Sequence, residues 1–165
     1  MGHDPAEAND PPMKRLLVIH HSQSGGTAAI AESVLAGARD PSIEQVEVDA
    51  RSPFAADADA VRAADGYILC TPENFGYMSG ALKDFFDRIY YPCLERTQGR
   101  PYALVVKAGN DGRGTVAAVE RIVTGLRWRA VQAPLVVVGA VGDAALAAAH
   151  ELGMTVAAGI EAGLF

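Results

Sequence analysis

The chain predicts a three-layer α/β sandwich: a five-stranded parallel sheet of order 2-1-3-4-5 with helices on both faces. Three observations carry this expectation. Short apolar runs rich in β-branched residues alternate with longer segments of helical spacing, the pattern of parallel strands joined by right-handed crossovers. Runs such as Leu16-Leu17-Val18-Ile19 and Leu135-Val136-Val137-Val138 are apolar at every position, as a strand covered on both faces requires. A chain of 165 residues suits one domain. Five strands match this order better than the dinucleotide-binding order, which needs about six.

Taken in order, the first strand is expected at 16–20. A helix follows at 27–38, where Ala28, Ile30, Ala31, Val34, Leu35 and Ala38 form one apolar stripe. A second strand at 43–48 and a short helix at 58–64 come next. The third strand, 67–71, leads to a helix at 79–95 whose Leu82, Phe85, Phe86 and Ile89 share a face. The fourth strand, 103–107, precedes a helix at 115–126. The fifth, 135–140, precedes a last helix at 143–158. No repeat of 20–50 residues is evident. In a sheet of this order, ligands bind beyond the carboxyl ends of the strands at the switch point. The loops after strands one, three and four are therefore the candidate site.

Bulk properties remove other classes. The net charge is −6, and Asp4, Glu7 and Asp10 carry half of it. The remainder is mildly acidic, which argues against a nucleic-acid partner. No apolar run reaches the roughly 18–20 residues of a bilayer span, so no membrane partner is expected. Residues 1–12 are polar, bear Pro5, Pro11 and Pro12, and lack the apolar core of a secretory signal. They read as a disordered tail ahead of a domain at 13–165. Cys70 and Cys93 give no disulfide framework, and a cytoplasmic location is expected. His20 and His21 are neighbours on a strand and point to opposite faces; with no third ligand in view, no metal site is expected.

The first loop runs Ser22-Gln23-Ser24-Gly25-Gly26-Thr27 into a helix. A helix start offers free N–H groups and a partial positive charge. Ser22, Ser24 and Thr27 add hydroxyl donors, and Gly25 and Gly26 let the backbone approach a phosphate closely. The loop contains no Lys or Arg. It lacks both the Gly-Lys-Ser/Thr of triphosphate sites and the GxGxxG of dinucleotide sites. It fits a monophosphate held by neutral donors.

The second loop, Pro72-Glu73-Asn74-Phe75-Gly76-Tyr77-Met78-Ser79-Gly80, is the most specific segment. Pro72 sets the strand's exit, and Gly76 and Gly80 permit a tight path. Asn74 can donate and accept, and Phe75 and Tyr77 offer apolar walls. The third loop, Ala108-Gly109-Asn110-Asp111-Gly112-Arg113-Gly114, is glycine-rich. It holds no aromatic residue; Trp128 lies beyond the next helix and is expected to serve packing or an interface.

These loops resemble the flavodoxin superfamily. Ser-x-Ser-Gly-x-Thr after the first strand looks like its FMN phosphate loop, with Ser22, Gln23, Ser24, Gly25, Gly26 and Thr27 at the matching positions. The usual Thr-Gly-Asn-Thr ending stands here as Ser-Gly-Gly-Thr, so Gly26 replaces a side-chain donor. Pro72 through Gly76, with the following Leu-Lys-x-Phe-Phe-Asp-Arg, are similar to the flavodoxin-like NAD(P)H:quinone reductases and the NADPH-dependent FMN reductases. The resemblance implies a flavodoxin-like fold that binds FMN through the first loop, Pro72, Glu73, Asn74, Phe75, Gly76, Ala108, Gly109, Asn110, Asp111 and Gly114. It implies NAD(P)H as electron donor and a quinone, flavin or other small molecule as acceptor. It names no catalytic side chain. It admits a homodimer or homotetramer, for which Tyr90-Tyr91-Pro92 offers a surface, and as the alternative an electron-transfer protein serving a protein partner. Arg113 is expected at the surface, or facing the phosphate of a nicotinamide cofactor.

Overall fold

The structure is a computed structural model that describes residues 12–22 and 25–165. The expected tail therefore lies outside the described residues except for Pro12, and so do Gln23 and Ser24 of the first loop. The elements are β1 (Lys14–His20), α1 (Gly26–Ala38), β2 (Val46–Arg51), α2 (Ala58–Ala63), β3 (Gly66–Pro72), α3 (Gly80–Cys93), β4 (Pro101–Ala108), α4 (Arg113–Gly125), β5 (Arg129–Ala130), β6 (Leu135–Val138) and α5 (Asp143–Glu161). All strand pairs are parallel, in the order β2-β1-β3-β4 with both β5 and β6 beside β4. This is the expected flavodoxin-like α/β sandwich.

The fifth position differs from the expectation in being split. β5 pairs Pro101 and Tyr102 at the start of β4, and β6 pairs Val105 to Ala108 at its end. Between them Pro134 has no N–H to give the ladder, and the chain leaves the sheet before rejoining it as β6.

Alternation within the strands sorts the core into two layers. Leu17 and Ile19 of β1 face Leu82, Phe85 and Phe86 of α3, while Leu16 and Val18 face Ile30 and Val34 of α1 and Val156 of α5. Both layers are buried and close-packed, which seats the strands against their helices and fixes where their carboxyl ends emerge.

Trp128 settles into packing. Its ring stacks on Tyr67 with centroids 4.0 Å apart and planes at 16°, and its Nε1 donates to Thr97 Oγ1 at 2.8 Å. Burial pushes the Tyr67 phenol up to about 12, and that hydroxyl donates to the Val61 carbonyl at 2.6 Å. Arg100 Nη1 caps the end of α2 by donating to the carbonyls of Val61, Arg62 and Ala64. Cys70 and Cys93 are free and buried. Desolvation raises the Cys70 thiol to about 12, so it holds its proton at neutral pH and serves as a small apolar side chain.

Candidate functional site

The three loops meet at the carboxyl edge of β1, β3 and β4, where the sheet order reverses. α2 and α3 begin with side-chain caps: Asp57 accepts from the Ala60 N–H and Ser79 from the Leu82 N–H. Two of the three helices that open at the site begin differently. α1 starts behind Gly25 (φ 86°) and α4 behind Gly112 (φ 71°), and neither has a side-chain cap or an acidic residue in its first turn. The donors at the start of α1 therefore remain available to an anion, which the positive end of the helix dipole favours, whereas at α4 the Gly112 N–H donates to Glu73 and the Arg113 N–H to Asp111. Ser22 Oγ accepts from the Gly25 N–H at 3.0 Å, folding the loop over α1. Thr27 is buried in the first helical turn. Two buried polar atoms, His21 Nδ1 and Thr115 Oγ1, have no hydrogen-bond partner among the described residues.

The fold brings one cation to this loop that the loop itself lacks. A Cβ placed on Gly26 would stand 3.3 Å from Lys107 Cε and 3.6 Å from its Cγ. The stem of Lys107 thus fills the space that a side chain at position 26 would take, and its Nζ donates to the Ala108 carbonyl at 3.3 Å. The substitution of glycine in the Ser-Gly-Gly-Thr ending was the visible trace of this contact. His20 is a poorer cation here, because burial and the neighbouring His21 both lower its pKa.

The second loop is a strained hairpin. Asn74 and Tyr77 exchange backbone hydrogen bonds, Asn74 N–H to Tyr77 O at 2.8 Å and Tyr77 N–H to Asn74 O at 3.0 Å. Phe75 and Gly76 between them have φ of 53° and 72°, the mark of a type I′ turn. Such a φ suits Gly76 and strains Phe75 by about 1–3 kcal/mol. Phe75 is nevertheless fully exposed, so no packing within this chain offsets that strain. At the base of the loop, Thr71 Oγ1 accepts from the Ser79 N–H at 3.1 Å and donates to the Pro72 carbonyl at 2.9 Å. Both residues are fully buried.

Glu73 joins the second loop to the third. Its Oε1 accepts from the Asn110 N–H and its Oε2 from the Gly112 N–H, each at 2.8 Å. Its own N–H donates to the Lys107 carbonyl at 2.8 Å. Gly114 closes the same seam from the other side: a Cβ there would lie 2.0 Å from the Gly76 carbonyl oxygen. Ala108 is buried under the third loop, while Gly109, Asn110 and Asp111 stand open at its rim. Asp111 accepts from the Arg113 N–H at 3.0 Å. Arg113 is 88% exposed and pairs with Asp111, as a surface arginine does.

The described residues of the three loops thus stand together at one edge of the sheet. The sequence did not single out Lys107, the Thr71–Ser79 clasp or the partnerless His21 Nδ1, because each depends on contacts between distant segments. The uncapped α1 terminus, the hydroxyls and the adjacent ammonium fit the FMN phosphate. The hairpin's backbone groups and the third-loop rim suit the polar edge of the flavin ring.

In a doubly wound α/β domain, the switch point at the carboxyl ends of the strands is where ligands bind, and the uncapped α1 terminus lies there. Residues 17–144 match the NADPH-dependent FMN reductase family, and the chain belongs to that family. It is 32% identical to a flavodoxin of Aquifex aeolicus (strain VF5) over 112 residues, covering 68% of this chain and 60% of that protein. It is 34% identical to an NAD(P)H dehydrogenase (quinone) of Acidithiobacillus ferrooxidans, covering 46% of this chain and 47% of that protein. The chain therefore spans about half to three-fifths of the length of these relatives. An archaeal flavodoxin structure superposes with a TM-score of 0.77 at 20% identity, covering 89% of this chain and 99% of that one, which shows the fold. No helix among the described residues is long and apolar enough to cross a membrane.

Proposed function

We propose that this protein is an FMN-dependent oxidoreductase that takes electrons from NAD(P)H and delivers them to a quinone, flavin or other small acceptor in the cytoplasm. The observation that carries the reading is the uncapped α1 terminus backed by Lys107, set against the Asn74–Tyr77 hairpin at the same sheet edge. The first holds a phosphate, and the second supplies backbone donors and acceptors to a planar ring. Bound FMN supplies the redox chemistry itself. The chain's own part is to hold the phosphate, fix the ring by its polar edge and leave one face open. No aromatic side chain from 108–114 covers that face. The flavodoxin relative supports a second reading, an electron carrier for a protein partner.

Purified protein loaded with FMN and mixed with NADPH and menadione is expected to oxidise NADPH catalytically. If it turns over with neither NADPH nor NADH, yet accepts electrons from a separate reductase, the carrier reading replaces the first.

The phosphate cradle has its own test. Removing a charge-assisted hydrogen bond costs roughly 1.5–3 kcal/mol. Thr27→Ala is therefore expected to weaken FMN by about tenfold or more and to leave riboflavin affinity unchanged. Lys107→Met keeps the stem against Gly26 and removes only the charge. It is expected to weaken FMN and to flatten the salt dependence of its binding. Flavin-fluorescence titration reads both. Equal losses for FMN and riboflavin would show that these residues act through folding rather than on the phosphate.

A further inference from the structure

The sheet has two edges, and they are built differently. β2, at one end, carries Glu47, Asp49 and Arg51 along its length, and charged side chains on an edge strand deter another strand from pairing there. β6, at the other end, reads Leu135-Val136-Val137-Val138, and no charged residue stands from Ala130 to Gly142. Among the described residues its only strand partner is β4.

The ladder shows which backbone groups this edge leaves free. The Gly139 N–H donates to the Ala108 carbonyl of β4 at 3.0 Å. Bonding direction alternates along a strand, so Val137 and Leu135 also face β4, and the N–H and C=O groups of Val136 and Val138 point outward. The side chains beside that row are open too. Val138 is 56% exposed. On the α4 face, Val136 and Pro134 line a cavity of about 360 Å³ with Val116 and Ala117. On the α5 face, Leu135 lines another of about 390 Å³ with Leu152 and Thr155.

We propose that the outer edge of β6 binds the same edge of a second copy of this chain, antiparallel across a two-fold axis, so that the two sheets become one. Three features select a second copy over another partner. The hydrogen-bond pattern complements itself. In the register centred on Val137, Val136 exchanges its bonds with Val138 of the copy, and Val138 with Val136 of the copy, so every outward group is satisfied. Centring on Val136 instead would set Val138 opposite Pro134, which has no N–H to give. The shapes also complement each other. Opposed residues of an antiparallel pair share a face, so the exposed Val138 of each copy lands beside Val136 of the other, at the open cavity on the α4 face. Finally, a two-fold axis brings identical groups together, which a chain of net charge −6 tolerates best where no charge stands. Of the charged residues lining the α4-face cavity, Asp111 and Arg113 pair with each other, and Glu120 is exposed to water.

The test uses the full chain loaded with FMN. Sedimentation equilibrium over a micromolar-to-millimolar series is expected to show a monomer–dimer equilibrium. Val138→Lys sets an ammonium against an apolar side chain in each half of the interface. It is expected to weaken the dimer by about 30-fold or more and to leave FMN binding intact. Tyr91→Lys, at an exposed position near the end of α3, is expected to leave the dimer unchanged. Amide hydrogen exchange on the unmodified chain gives an independent reading. Val136 and Val138 are expected to be protected in the dimer and to exchange freely on dilution to monomer, while Val137 and Gly139, bonded to β4, stay protected in both. A chain that remains monomeric throughout leaves the edge to a different partner and overturns the proposal. So does a dimer that Val138→Lys leaves intact or that Tyr91→Lys breaks. Protection of Val136 and Val138 that persists in the monomer would place another part of the chain on the edge, and overturns it as well.

Discussion

Replacing Glu73 by alanine is expected to weaken FMN binding by about 30- to 100-fold while the fold remains intact. The carboxylate accepts from Asn110 and Gly112, both at 2.8 Å, and so holds the third loop against the second. Hydrogen bonds to a charged group contribute roughly 1.5–3 kcal/mol each when sheltered, and less in contact with water. Glu73 is half-buried and Asn110 exposed, so about 2–3 kcal/mol for the pair is a suitable figure, and each 1.4 kcal/mol is tenfold in affinity. The two buried core layers do not involve this carboxylate, so thermal unfolding should shift by only a few degrees. Glu73→Gln keeps one acceptor oxygen and replaces the other by an NH₂ that cannot accept. It should fall between wild type and Glu73→Ala. An alanine variant that binds FMN normally would show that the ordered third loop is not part of the cradle.

The order of the sheet and the positions of its helices were legible because the signal is local. Leu16 to Ile19 declares a strand by composition, and Leu82, Phe85, Phe86 and Ile89 declare a helix by spacing. β5 was not legible, because Arg129 and Ala130 are exposed and only two residues long. The loops were legible as a donor-rich cradle. Their cross-links were not, because Glu73 reaches Gly112 and Lys107 reaches Gly26 only after the sheet has formed. The left-handed turn announced itself at Gly76 alone. Phe75 at φ 53° runs against its own steric preference, and a strained exposed aromatic beside a cofactor cleft is the kind of residue whose reason lies in what it touches when the cleft is filled.

Gly114→Ala is expected to open the seam between the hairpin and α4, and to cost FMN affinity by about 100-fold or more. Position 114 lies in the first turn of α4, with no left-handed backbone to favour glycine. Its requirement is space. An added Cβ would stand 2.0 Å from the Gly76 carbonyl oxygen and 3.1 Å from its carbon. Both are backbone atoms, so no side chain can swing aside. Either the Phe75–Gly76 turn moves out, or the first turn of α4 unwinds and the Glu73–Gly112 and Asp111–Arg113 hydrogen bonds that order the third loop are lost with it. Overpacking of this kind costs about 1–3 kcal/mol even where neighbours can yield. Helix propensity alone would favour alanine by about 1 kcal/mol, so a loss here is the opposite of what local preference dictates. Gly80→Ala is the matched control: it also starts a helix at the site edge, and a Cβ there meets nothing within 4 Å. Thermal melts and FMN titrations of the two variants should diverge, with Gly80→Ala near wild type. If Gly114→Ala instead matches Gly80→Ala in both, the hairpin does not rest on α4 and the cleft is wider than the Gly76–Gly114 contact makes it.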